Sequence, residues 1–308
     1  MIRRQFLCRT LAALAMVAAS FLGLGRTARA EDDKPIRALF ICGGCCHDYA
    51  KQKDIITQGI SGRANVVWTI AFDPDRGSTH LNPIYENPDW ARDFDVVVHD
   101  ECTAAFSQYN EKKAKDPKDA DAVAKENADA KEKAKKEQDV VENIILKAHK
   151  AGLPAVILHC GMHCYRSEGW PKTVTPWFEF TGLQTTGHGA QLPIELTYTD
   201  KENAITKGLG DWTTIKEELY NNIAGKVLDT AHPLAHGKQI SKGKDGKESV
   251  TETVVVWTNI YNGKTKVFAT TIGHNNETCG DPRYLDLVTR GLLWSVDKLD
   301  DSHLKAAK

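Results

Sequence analysis

Four short segments of this 308-residue chain concentrate side chains able to move protons, ligate metal or attack carbon. The first is Cys42-Gly43-Gly44-Cys45-Cys46-His47-Asp48-Tyr49, and the second is His99-Asp100-Glu101-Cys102. The third joins His159-Cys160-Gly161 to His163-Cys164-Tyr165-Arg166, and the fourth runs Gly273-His274-Asn275-Asn276-Glu277 to Cys279. His188 stands in a further glycine-containing stretch. Three chemistries fit these residues. Imidazole gives or takes a proton near neutral pH, so His47, His159, His188 and His274, with Asp48 and Glu277 as carboxylates, are candidates for acid/base work. His159, His163 and a cysteine pair offer nitrogen and sulfur ligands to a divalent metal, although the spacing matches no zinc ribbon or finger and Cys45-Cys46 are vicinal. Cys160, set before Gly161 after an apolar run, has the context of a nucleophile on a strand-to-helix elbow, with His274 and Glu277 as partners.

Each reading has a plainer rival. Disulfides tying neighbouring loops together account for the cysteines, with Cys164 joined to Cys45 or Cys46 as one arrangement among several. His80, His149, His232, His236 and His303 lie in polar contexts and read as surface residues, and His99, ending an apolar run, also reads as a hydrogen-bonded core residue.

Strands must carry these segments. The apolar runs Ile36 to Cys42, Asn65 to Phe72, Phe94 to His99 and Pro154 to His159 read as strands, and all but the second end at one of the reactive segments. Between the third and fourth, Val140, Val141, Ile144, Ile145 and Ala148 recur with helical spacing until Gly152 and Pro154 stop the helix. Strand, helix and strand in that order predict a doubly wound parallel α/β sheet, in which ligands bind beyond the carboxyl ends of the strands. Residues 111–138 are almost all Lys, Ala, Asp and Glu and cannot bury a face, so they read as an exposed, charge-paired helical insertion spanning about 107–139. Later, Leu192 to Tyr198, Lys226 to Thr230, Val250 to Thr258 and Lys266 to Ile272 predict a partly antiparallel sheet with a tight turn at Asn262-Gly263, and Gly237 to Ser249 reads as a loose loop. A last helix is expected from Pro282 to Leu299.

Composition excludes other classes. The chain is 41% apolar and 26% charged, the balance of a globular protein rather than a disordered one. Residues 1–30, with Arg3-Arg4-Gln5-Phe6-Leu7, an apolar run to Leu24 and Ala28-Arg29-Ala30 ahead of Glu31, have the pattern of a bacterial export signal of twin-arginine type. That run is short for a membrane span, so no stable anchor is expected after cleavage, and the mature chain from residue 31 is expected in the periplasm or outside the cell. Without those residues 35 Lys and Arg face 41 Asp and Glu, a net charge of −6 that gives no electrostatic case for nucleic acid.

The residues in order also carry a resemblance. Leu39-Phe40-Ile41-Cys42-Gly43-Gly44 with His47-Asp48-Tyr49, then Val156-Ile157-Leu158-His159, Trp177 to Gly182, His188, Glu217-Glu218-Leu219-Tyr220, Trp257, Lys266-Val267-Phe268, Gly273-His274 and Arg290-Gly291-Leu292-Leu293-Trp294 resemble the trehalose-utilisation (ThuA-like) domain family over most of residues 36 to 297. The resemblance implies a flavodoxin-like, class I glutamine-amidotransferase-like α/β fold and a role in carbohydrate catabolism, including trehalose and 3-keto sugars. Its members generally lack the nucleophilic cysteine of the amidotransferases, so Cys160 departs from it, as does the Lys/Ala-rich insertion. The expectation is then a sugar-binding rim. His159 and His274 carry protons there, His47 and Asp48 orient the substrate, and Gly43, Gly44, Glu218 and Glu277 line it. Trp170, Trp177 and Tyr220 offer faces to a sugar ring or pack inside. The small-molecule partner is a carbohydrate, and the cofactor is left open, with a divalent metal as a candidate. A non-catalytic carbohydrate-binding module and a Cys160 hydrolase are the rival functions.

Overall fold

The first apolar run becomes β1 (Ile36–Gly44), buried along almost its whole length in a computed structural model that describes residues 34–243, 245–300 and 303–305. The export-type segment at residues 1–30 lies outside the described residues. In chain order there follow α1 (Tyr49–Ser61), β2 (Val66–Asp73), β3 (Val96–Cys102), α2 (Ala120–Val140), α3 (Leu146–Ala151), β4 (Ala155–Leu158), α4 (Pro176–Thr181) and β5 (Leu183–His188). The rest is β6 (Leu192–Tyr198), β7 (Trp212–Glu217), β8 (Tyr220–Val227), β9 (Ala231–Lys242), β10 (Glu248–Tyr261), β11 (Thr265–Thr270), α5 (Asn276–Cys279) and α6 (Pro282–Ser295).

Nine strands form one sheet in the order β2-β1-β3-β4-β11-β10-β9-β6-β7, and β5 pairs with β8 apart from it. From β2 to β11 every neighbouring pair is parallel. This is the flavodoxin-like order with β11 in the fifth place, and its switch point lies between β1 and β3. From β11 onward the pairs are antiparallel, as the Asn262-Gly263 turn between β10 and β11 requires. Alternation along β1 sends Ala38, Phe40 and Cys42 to one face, with α1 and α6, and Leu39 and Ile41 to the other, where Trp177, Phe180 and Trp257 pack. Burying both faces explains why β1, β3 and β4 read as unbroken apolar runs, whereas the edge strand β2 is largely exposed.

The insertion is helical and continuous, through a wide turn at Val141–Ile145, with α3, and of α2 only Ala134 is buried. Lys133 faces Glu137 and Lys136 faces Glu132 one turn apart, the i,i+4 pairs that keep a solvated helix in register. No described helix is long and apolar enough to cross a membrane.

Several expectations fail in informative places. The predicted loop from Gly237 is instead β9 running to Lys242 against β10. Gly237 is there because a Cβ would come within 2.7 Å of Val255 and 2.8 Å of Ile194, so the residue serves packing rather than a turn. The strand expected at Lys226 to Thr230 ends at Val227, and the last helix stops at Ser295. His149 is fully buried rather than on the surface.

Candidate functional site

The carboxyl ends of β1, β4 and β11 bring His47, His159 and His274 together. His47 follows β1 in the cysteine-rich loop, and its ring centroid lies 4.7 Å from that of His159 and 4.8 Å from that of His274. His159 and His274 are 5.5 Å apart, and one ring nitrogen from each of the three falls within 4.8 Å of the others. Residues separated by 227 positions thus share one pocket beside the β1/β3 switch point.

Backbone geometry holds each ring. After Cys42, Gly43 and Gly44 take positive φ and run so close to β2 and β3 that a Cβ would fall 2.4 Å from the Asp73 carbonyl oxygen and 2.3 Å from that of Cys102. Only glycine admits that approach, which turns the loop inward and presents His47. His159 opens a 3₁₀ turn at φ +40°, a left-handed conformation costly for a side-chain-bearing residue and typical of functional positions. Its Nδ1–H donates to the Thr271 carbonyl at 2.7 Å, which turns Nε2 toward the Tyr220 hydroxyl at 3.2 Å. His274 is fixed from both sides. The buried Glu217 carboxylate accepts the backbone N–H groups of His274 (3.0 Å) and Asn275 (3.1 Å), and Gln52 donates to the His274 carbonyl at 2.9 Å.

Glu218 closes the pocket. Its oxygens lie 3.5 Å from His159 Nε2, 3.3 Å from His274 Nδ1 and 3.4 Å from His188 Nε2. Gln191 places its amide between them, donating to Glu218 at 3.2 Å and lying 2.9 Å from His274 Nε2. His163 stacks on Tyr220 at 4.0 Å and packs the back of the ring that faces His159.

The electrostatics separate these groups. Burial, helped by the charges of His159 and His274, pushes His47 down to about 2, so it is neutral at any working pH. Burial lifts the Glu218 carboxyl, but the hydrogen bonds and charge of His159 and His274 outweigh it and hold that group well below the ordinary carboxylate range. The same Glu218 contact, opposed by partial burial, raises His274. The pocket therefore holds an ionised carboxylate, a proton-retaining imidazole and a neutral one.

The remaining predicted residues divide. His188 joins the cluster from its half-exposed strand end, and Tyr220 touches it. Asp48 lies at its margin, accepting from Asn276 at 2.9 Å and pairing with Lys51 at 3.0 Å, which ties the His47 loop to α5. Glu277 is exposed on α5, with no hydrogen bond or ion pair to the cluster. Trp177 is fully buried and donates to the Gly161 carbonyl, while Trp170 lies under the Arg166 guanidinium at 4.2 Å. Cys160 does not stand as a nucleophile, because its sulfur is bonded to Cys102. Cys164 is a buried free thiol on the Glu101 carbonyl, so the expected bridge from it to Cys45 or Cys46 is replaced by Cys102–Cys160. Glu217, Gln191, Gln52 and Thr271 were not singled out in the sequence as site residues. The adjacent carboxylates Glu217-Glu218 were the available signal for the first of these.

A polar cleft of about 170 Å³ adjoins His47 between the ends of β1 and β2, lined by Asp48, Asp73, Asp75 and Arg76. A larger groove of about 510 Å³ lies at the amino ends of β3 and β4 and contains none of these histidines.

The family model of ThuA, described as trehalose utilisation, matches residues 93–295, a span that includes His159, Glu217, Glu218 and His274. The chain belongs to the ThuA family. As a ThuA protein it is tied to carbohydrate metabolism at the level of the family. Its fold is shared by a ThuA-like protein from Parabacteroides merdae, at 17% identity and a TM-score of 0.55, covering 89% of this chain and 93% of that one. A glutamine amidotransferase from Thermotoga maritima aligns at 11% identity over 86% of this chain and 97% of that one, with a TM-score of 0.36, too low to bear on the fold of this ThuA protein. No curated protein matches the chain in sequence.

Proposed function

We propose that this ThuA protein is an enzyme that acts on a sugar or 3-keto-sugar derivative by histidine acid/base chemistry, with His159 and His274 as the proton carriers. The observation that carries the reading is the meeting of His47, His159 and His274 around Glu218. His159 takes a proton from a carbon or hydroxyl next to a sugar carbonyl through Nε2, since its Nδ1–H is committed to Thr271. His274, charged against Glu218, returns a proton to the developing oxyanion or leaving oxygen. Neutral His47 holds substrate hydroxyls, and the polar cleft beside it suits a polyhydroxylated ligand. His159→Ala and His274→Ala are each expected to lower kcat by about 10²-fold or more, the usual contribution of a positioned acid or base, with a nearly unchanged thermal midpoint. Turnover of a panel of native and oxidised sugars checks this. Full activity in either variant removes that residue from the mechanism, and glycan binding without turnover in the parent protein favours a binding module instead.

A second reading of the same cluster rests on one feature: His47 Nδ1 is buried with no hydrogen-bond partner, beside two other imidazoles whose nitrogens lie within reach of a common point. His47, His159 and His274 would hold a divalent ion such as zinc, which polarises a sugar oxygen. Elemental analysis and loss of turnover on chelation, restored by the ion, distinguish this reading from the first. For residues 1–30 we propose export of twin-arginine type to the periplasm, tested by fractionation of an Arg3→Lys, Arg4→Lys variant.

A further inference from the structure

Next to the histidines lies a group of sulfurs that proton transfer does not use. Cys45 Sγ is 3.4 Å from Cys102 Sγ, and the sulfurs of Cys45, Cys46 and Cys102 all fall within 4.8 Å of one another. Cys102 is bonded to Cys160, and both their sulfurs lie within 4.8 Å of a ring nitrogen of His47. Three sulfurs from two separate segments therefore face one another, and the third of them, Cys102, is held by Cys160. We propose that Cys45, Cys46 and Cys102 form a thiolate site for a soft, thiophilic cation of the zinc or copper(I) class, and that the site opens when reduction of the Cys102–Cys160 disulfide frees Cys102.

The separations fit. Zinc–sulfur bonds of about 2.3 Å place tetrahedral sulfurs about 3.8 Å apart, so closing Cys45, Cys46 and Cys102 around an ion changes their separations by about an ångström or less. The scaffold survives opening of the disulfide, because the loop is pinned independently. The Cys45 backbone N–H donates to the Cys102 carbonyl, and Gly44 lies flush against that same carbonyl. Cys46 is exposed, at φ +84°, and provides the entry from solvent. Thiolates select such ions over the hard cations that carboxylates prefer.

The chemistry balances with a named reductant. A dithiol supplies two electrons and two protons to the disulfide, becoming a disulfide itself and leaving Cys102 and Cys160 as thiols. Each thiol that then binds the cation releases its proton to solvent. The inference does not rest on the acid/base reading, since it shares only the His47 loop with it.

The experiment uses the full chain and cobalt(II) as the probe, added without oxygen before and after treatment with a dithiol that is then removed. Thiolate-to-cobalt charge-transfer absorption is expected only in the reduced protein, together with a rise of two titratable thiols on reduction. Cys45→Ser should abolish the band. Cys46→Ser, at an exposed position that folding does not need, should weaken cobalt binding by at least about tenfold, the loss seen even for partners outside the ligand shell. His274→Ala should leave the band in place, which separates this site from one made of imidazoles. A reduced protein with no charge-transfer band, or a band unchanged in both cysteine variants, overturns the proposal.

Discussion

Two clusters of histidine and carboxylate sit in this molecule, one at the rim of the sheet and one sealed beneath it. At the rim, His274 is 15% and His188 38% exposed, and Glu218 faces three imidazoles. In the sealed cluster, on the face of β3 that packs against α3, His99 and Glu101 are 0% and 1% exposed and His149 is fully buried. There a line of contacts runs from Glu101, which accepts from Tyr85 at 3.0 Å and Tyr165 at 2.8 Å, to His99 Nδ1 at 3.0 Å, on to His149 Nε2 at 3.2 Å and out to the Leu153 carbonyl at 2.8 Å. Trp90, Trp177 and Phe180 wall it in. The same residue types thus serve two ends. In the sealed cluster both histidines spend both ring nitrogens on neighbours, whereas the rim leaves His47 Nδ1 without one and keeps a path to solvent. Access and an uncommitted lone pair mark a reactive site better than residue type does.

Mutations that exchange the roles of the two clusters test the contrast. Glu101→Ala should be the most damaging to stability, by about 3–5 kcal/mol, because it strips a buried network of its shared acceptor. Denaturant midpoints report the loss, while turnover per folded molecule should hold; a fall in kcat with intact stability would dissolve the distinction. Glu218→Gln should do the reverse, lowering kcat by about 10²-fold, or about 2.7 kcal/mol of transition-state stabilisation, with a small change in midpoint.

Acidification acts gradually, over a range of pH. Burial, with the charge of His99, pushes His149 down to about 3, below the usual 6.5 of an unfolded histidine. The fold therefore favours the neutral ring. Its contribution is complete above pH 6.5 and is lost between 6.5 and 3, at up to about 1.4 kcal/mol per pH unit. Unfolding titrations of the parent and of His149→Gln should diverge in that window, and parallel curves would show that His149 is not held neutral. The least effect belongs to the exposed helix, where replacing Glu132 and Lys136 together with alanine should leave both midpoint and turnover unchanged.

The sequence made some of this contrast legible. β1, β3 and β4 announced themselves because both their faces are buried, and the rule that ligands gather beyond strand carboxyl ends brought His47, His159 and His274 to one rim. His149 was misjudged because lysines flank it, although it stands one turn after Ile145 on the buried stripe. β5 and β7 were missed. β7 sits at the sheet edge and β5 pairs with β8 outside the main sheet, so neither shows the unbroken apolar run of a central strand. Gly237 imitated a loop signal while filling a packing role. Glu277 was misplaced because nearness in sequence to His274 says nothing about which way a short helix turns its side chains. Cys160 looked like a nucleophile because no spacing reveals which sulfur lies opposite it.

The place of β11 in the sheet has a consequence for how this molecule matures. It sits beside β4, yet it is made more than a hundred residues after it, and His274 comes later still. A ribosome-bound intermediate ending anywhere before Thr265 carries β4 as an unfinished border and two of the three imidazoles without the third. Pairing across so long a stretch is slow, and the open border invites association with other chains until the tail arrives. The three-imidazole pocket is thus withheld from the nascent polypeptide until residue 274 has been translated.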